Sequence, residues 1–143
     1  MLIKCPNGED LKLNDFNPKY FLLNGVPSPF TPQDPRVSLY AKVGDTIILR
    51  LLNASYTRTI FKIDGLDSKV IEMDGRPLGQ TPHSSYSFPF AIPSGTSFEL
   101  TTAQRWVLLI TANHPGIFNV TIEFRHWIKG DLFHQMKTTI QII

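Results

Sequence analysis

Gly44-Asp45-Thr46-Ile47-Ile48-Leu49-Arg50-Leu51-Leu52-Asn53-Ala54 carries a turn, a strand and a strand exit in eleven residues, and its reading decides the fold. Gly44-Asp45 has the positive-φ chemistry of a tight connection, and the aliphatic, partly β-branched run after it suits a pleated strand that shelters side chains from water. Arg50 sets the phase. A guanidinium stays out of a core, so Ile47, Leu49 and Leu51 share the inward face while Ile48, Arg50 and Leu52 share the other. Two apolar residues beside Arg50 predict that this second face is covered too, and a strand covered on both faces is expected inside a sheet rather than at its edge.

The same grammar repeats outward from this stretch. Upstream, Tyr20-Phe21-Leu22-Leu23 runs into an Asn24-Gly25 turn signal, and Val37, Leu39, Ala41 and Val43 alternate with polar positions. Downstream, Thr59, Phe61 and Ile63 alternate up to Asp64-Gly65, and Lys69 to Met73 closes at Asp74-Gly75. Tyr86, Phe88, Phe90 and Ile92 alternate around Pro89, which confines that strand to an edge because proline cannot donate to a ladder. Phe98-Glu99-Leu100, Arg105 to Thr111, and Phe118, Val120, Ile122 and Phe124 follow, and Met136, Thr138, Ile140 and Ile142 face inward on a last strand. Two proline-rich stretches, Val26 to Pro35 and Arg76 to Ser85, read as crossing loops. Residues 1–19 form an irregular entry segment, with Leu11 and Leu13 a short strand candidate, and residues 20–143 one domain.

No segment has ten residues of helical apolar spacing, so about eight strands and little or no helix are expected. That leaves an all-β sandwich or closed barrel, burying a core between two sheets. A length of 143 residues supports one such core, and a net charge of +2, with dispersed Lys and Arg, gives no support to nucleic-acid binding. No run approaches the ~18 apolar residues of a membrane span. Met1-Leu2-Ile3-Lys4-Cys5-Pro6 lacks the apolar core of a signal peptide.

The order of these motifs resembles the cupredoxin-type domains of multicopper oxidases, most of all the copper-free second domain of laccase-like enzymes. Phe21-Leu22-Leu23-Asn24-Gly25 with Pro27, Val43-Gly44-Asp45-Thr46 and Leu49-Arg50-Leu51-Leu52-Asn53-Ala54-Ser55 carry the likeness. Ile63-Asp64-Gly65, Val70 to Gly75, Gln104 to Ile110 and Pro115-Gly116-Ile117-Phe118 extend it over about residues 20–142. Two departures matter. The strand at Arg105 follows Thr101-Thr102-Ala103 where the family has a glycine turn, and the family's His-x-His pairs and terminal His-Cys-His run are missing. The resemblance implies a Greek-key β-sandwich of cupredoxin type, part of a longer chain. It also implies a structural, interdomain role beside copper-bearing cupredoxin domains, in a periplasmic or extracellular enzyme that passes electrons from a reduced substrate through copper to dioxygen.

The residues themselves point to no catalytic, cofactor or metal site in this domain. A blue-copper centre needs two imidazoles and a thiolate, with a weak axial Met. The only thiol, Cys5, lies far in sequence from every histidine, and a single cysteine excludes an intrachain disulfide. His126, His134 and Met136 are the remaining metal candidates, since a hairpin at Lys129-Gly130-Asp131 would bring the two imidazoles together; Met136 is also in phase with the core. His83 and His114 read as loop residues. Asp45, Asp64, Asp74 and Asp131 each adjoin a glycine, so a turn role precedes any acid-base role. Asn53-Ala54-Ser55 and Asn119-Val120-Thr121 match the glycosylation acceptor pattern, and Asn53 serves equally as the cap of a strand exit. A stand-alone secreted binding module and a small copper carrier built on His126, His134 and Met136 are the alternatives, and an isolated copy of the first kind of domain is expected to expose an apolar patch and self-associate.

Overall fold

A computed structural model describes residues 16–79 and 88–143. Leu11, Leu13, Cys5, His83 and Tyr86 fall outside them. The described residues form no helix and twelve strands: β1 (Leu22–Leu23), β2 (Val26–Pro27), β3 (Leu39–Ala41), β4 (Thr46–Leu52), β5 (Arg58–Ile63), β6 (Ser68–Met73), β7 (Arg76–Pro77), β8 (Phe90–Ile92), β9 (Ser97–Leu100), β10 (Arg105–Thr111), β11 (Gly116–Arg125) and β12 (Leu132–Ile142). The count exceeds the expected eight because short hairpin arms within the loops also pair. β1 and β2 flank Asn24-Gly25 at φ 47° and 80°, and β6 and β7 flank Asp74-Gly75 at 52° and 78°, the two left-handed residues that a tight hairpin turn requires.

Two five-stranded sheets face each other. One has the order β4-β10-β6-β7, with β8 also on β6, and the other β3-β12-β11-β5-β9. Gly44-Asp45 does not close a hairpin, because β3 and β4 belong to different sheets; it turns the chain from one layer to the other, with Gly44 N donating to Ala112 O at 2.8 Å. The alternation found in the sequence places the core: Phe118, Val120, Ile122 and Phe124 from β11 and Met136, Ile140 and Ile142 from β12 are buried against Phe61, Ile63 and Leu100. Thr59 and Thr138 are buried with them. The ring of Phe98 lies between Phe61 and Trp106, 5.6 Å from each centroid and nearly parallel to both, so one aromatic stack joins the two sheets.

Arg50 sets the phase of β4 as expected: Ile47, Leu49 and Leu51 turn inward and half-bury, while Arg50 is exposed. The expected central position is wrong. β4 pairs with β10 over all seven residues on one side and has no partner on its other side among the described residues. The face it shares with Arg50 is open, with Ile48 58% and Leu52 57% exposed. β8 is an edge strand, as Pro89 just before it requires, yet Phe88 and Phe90 are exposed and, among the described residues of that alternation, only Ile92 is buried. The Val26 to Pro35 crossing is tied down from inside: Thr31 is buried and donates to Lys137 O, and Thr138 and Thr139 donate back to Thr31 O and Pro32 O at 3.3 and 3.2 Å.

Candidate functional site

The metal candidates meet at the end of the sandwich where β11 turns into β12. Inward phase along β11 carries Phe124 and then His126, which is 2% exposed. Its main chain closes the turn, since His126 N donates to Asp131 O at 2.8 Å and Gly130 N to His126 O at 2.9 Å. Its ring does the same. Nδ1 accepts from the backbone N–H groups of Ile128 and Lys129 at 3.0 and 3.1 Å. An Nδ1 that accepts must carry its lone pair, so the neutral ring holds its proton on Nε2. Nε2 is buried and has no hydrogen-bond partner among the described residues; the rings of Phe133 and Phe16 stand 5.5 and 6.4 Å away, centroid to centroid.

That tautomer decides the chemistry. A metal ligand must offer a free nitrogen lone pair, and His126 has its only one engaged by two backbone donors. His134 is stacked on Phe21 at 5.1 Å, and Met136 is wholly buried in the core. His126 is a turn cap, His134 a partner in an aromatic cluster and Met136 a packing residue, which is a poor donor set for copper. Among the described residues no three His, Cys, Asp or Glu side chains gather in a group that could hold a metal ion.

The other candidates have structural work as well. His114 is exposed in its turn, edge-on to Phe118 at 5.2 Å. Asp45 accepts from Lys42 N at 2.7 Å and Asp74 from Arg105 N at 2.9 Å, so both carboxylates hold turns. Asn53 is 3% exposed and its amide donates to Thr57 O at 2.7 Å and Leu100 O at 3.0 Å, which rules it out as a glycan acceptor; Asn119 lies exposed on β11. Among the described residues, the two perturbed carboxylates belong to ion pairs. The side-chain hydrogen bond from Arg36 holds Asp34 down to about 2, and that from Arg58 holds Glu99 below its ordinary value.

The two outer faces differ in character. On the sheet containing β5, β11 and β12, Lys62, Asn119, Thr121, Glu123, Gln135 and Lys137 share one shallow groove with Ile60, while Tyr40 and Ile117 stand exposed elsewhere on that face. On the other sheet, register puts Leu109 beside Ile48 and Val107 beside Arg50, with Leu52 next along β4, so an apolar strip fringed by Arg50 and Arg105 faces outward. Beside the free edge of β4, a cleft of about 500 Å³ opens between the sheets, walled by Leu23, Leu39, Leu49, Leu51, Phe61 and Ile122. The cleft has no signature in the sequence, whereas the strip does. The signal was present in Ile48 and Leu52, two apolar residues on the face that Arg50 keeps out of the core.

No known family model matches the chain, and no curated protein matches it either. Solved structures do, and those of multicopper oxidases share its fold. A blue copper oxidase from Nitrosomonas europaea is 23% identical with a TM-score of 0.61, over 93% of this chain and 36% of that one. The multicopper oxidase mgLAC is 21% identical with a TM-score of 0.56, over 80% and 32%. A metallo-oxidase from Campylobacter jejuni is 17% identical with a TM-score of 0.57, over 92% and 25%. The chain spans roughly a third of these proteins or less.

Proposed function

We propose that this chain is a cupredoxin-like module without copper of its own, serving as a structural, interdomain part of a multicopper oxidase. The parent would carry out copper-dependent oxidation of a reduced substrate with reduction of dioxygen to water, in the periplasm or outside the cell, on copper held by neighbouring cupredoxin domains. One observation carries this: the sandwich keeps Ile48, Leu52, Val107 and Leu109 together in one strip on an outer face, with Ile48 and Leu52 more than half exposed. A free-standing domain gains nothing from such a face, and a module packed against a neighbour does. The module's contribution is geometric, holding its neighbours at a fixed separation and orientation. The Val26 to Pro35 loop, which presents Phe30 to solvent, and the Arg76 to Ser85 stretch are further contact surfaces in this reading.

The test is a copper titration of the chain. Cu(I) added against a chromophoric chelator, and Cu(II) followed by absorbance, should show no stoichiometric competition and no intense charge-transfer band. Tight one-to-one binding would instead establish the small-carrier alternative.

A further inference from the structure

The free edge of β4 and the cleft beside it form one receptor, and the geometry points to its occupant: an extended segment of a neighbouring domain that adds to the sheet as a strand. This rests on the module reading for the source of that segment, and on the structure for its chemistry. Edge strands expose backbone N–H and C=O groups that template a further strand, and proteins usually blunt them with shortness, proline or a bulge. The other edges here are blunted. β3 has three residues, β9 four, β7 two with Pro77, and β8 three preceded by Pro89. β4 has seven, in unbroken register with β10 and without proline.

The cleft specifies the side chains. Inward residues of an added strand would enter a space walled by Leu23, Leu39, Leu49 and Leu51, and three polar side chains on its rim are already committed, Asn53 to Thr57 O and Leu100 O, Thr138 to Thr31 O and Thr139 to Pro32 O. It therefore selects small apolar residues at alternate positions. The outward face adds a charge requirement. Arg50 is the one charged residue on β4 and is exposed, and the ion pairs of the described residues join Arg36 to Asp34, Arg58 to Glu99, Lys62 to Asp64 and Arg125 to Glu123, leaving Arg50 out. A carboxylate directly across from Arg50 completes the pairing, and a cation there opposes it.

The experiment uses the whole chain and two labelled synthetic nonapeptides of alternating valine and threonine, one with a central glutamate and one with a central lysine, read by fluorescence anisotropy. The glutamate peptide should bind saturably and the lysine peptide about fivefold more weakly, in line with the cross-strand cost of like charges. Arg50→Glu, an exposed substitution that leaves the core alone, should reverse the order. Absence of binding, equal binding of the two peptides, or an order unchanged by Arg50→Glu would each overturn the proposal. So would capture seen only after residues 1–15 are removed, which would assign the edge to the chain itself. The copper titration is independent of all of these, so failure here with no copper bound leaves the module reading in place.

Discussion

Asn53 reaches from the exit of β4 to the carbonyl of Leu100 on β9, 3.0 Å away, and so stitches one sheet to the other. The same amide donates to Thr57 O at 2.7 Å, while Oδ1 accepts from Ser55 N at 3.0 Å and Ser55 Oγ at 2.7 Å. All four hydrogen-bonding capacities of the side chain are met inside the protein. Asn53→Ala strands two buried carbonyls and should cost about 2–3 kcal/mol in urea unfolding. Asn53→Asp should cost about as much, because a carboxylate cannot donate to those carbonyls. A loss under about 0.5 kcal/mol in both would mean that the stitch does not hold the sheets.

Gly65 and Gly25 share a left-handed backbone but differ in surroundings. A Cβ on Gly65, at φ +85°, would stand 2.7 Å from Phe118 Cδ1, whereas one on Gly25, at φ +80°, meets nothing within 4 Å. Gly25→Ala therefore carries only the backbone term of about 1 kcal/mol, while Gly65→Ala adds a clash with a buried ring and should cost about 3 kcal/mol. Denaturant midpoints of the two variants, measured side by side, check the difference.

Ala103 sits at φ 65° in the turn before β10, a left-handed conformation that favours glycine. The turn survives because its polar groups are paired, Ala103 N to Asn53 O at 2.8 Å and Thr101 N to the Gln104 side chain at 2.8 Å. The Cβ still strains the left-handed conformation. Ala103→Gly should stabilise the fold by about 0.5–1 kcal/mol once the extra freedom of glycine in the unfolded chain is subtracted. In a domain of this size that is a rise in Tm of roughly 2–4 °C.

The bidentate pair of Arg58 with Glu99, at 2.7 and 2.6 Å, makes stability depend on acid. Its side-chain hydrogen bond depresses the Glu99 carboxyl in the folded state, so the folded protein releases that proton more readily than the unfolded chain does. The stabilisation is complete above the ordinary carboxyl value of 4.5 and is lost as pH falls through the lower folded value. Arg58→Met should flatten the fall of the urea midpoint between pH 5 and 3 and raise the Glu99 titration midpoint seen by NMR. An unchanged midpoint would remove the pair as the cause. Asp34, held at about 2 by Arg36, should titrate late in the same experiment; the Arg36 side chain is largely exposed, so the pair carries no comparable share of stability.

Strand positions and inward phase were legible in the sequence because they follow from side-chain period alone. Phe118 to Phe124 and Met136 to Ile142 are buried at every second residue as their alternation required, and Asn24-Gly25 and Asp74-Gly75 turn where they should. Sheet membership was not legible, since it depends on pairings between residues far apart in sequence. Hence the turn at Gly44-Asp45 is legible, with Asp45 N donating to Lys42 O at 3.0 Å, but its passage between sheets and the edge position of β4 are not. The role of His126 was hidden for a related reason: spacing shows that two histidines can approach, but only the backbone donors at Ile128 and Lys129 reveal which nitrogen is spoken for.

Ile48 and Leu52 test what the open face is for. Both are more than half exposed and point away from the core that Ile47, Leu49 and Leu51 face, so replacing them takes little from packing. Thr keeps the preference for strand while removing most of the apolar surface. The double variant Ile48→Thr with Leu52→Thr should therefore unfold within about 0.5 kcal/mol of the parent sequence, as surface substitutions do. Its association should change more. At a concentration of order 100 µM, an apolar face left without its neighbour draws copies together, and the weight-average mass by sedimentation equilibrium should fall towards that of one chain in the variant. A parent chain that is already monomeric at that concentration, or a variant that associates equally, would show that the strip at Ile48 and Leu52 is not a contact surface.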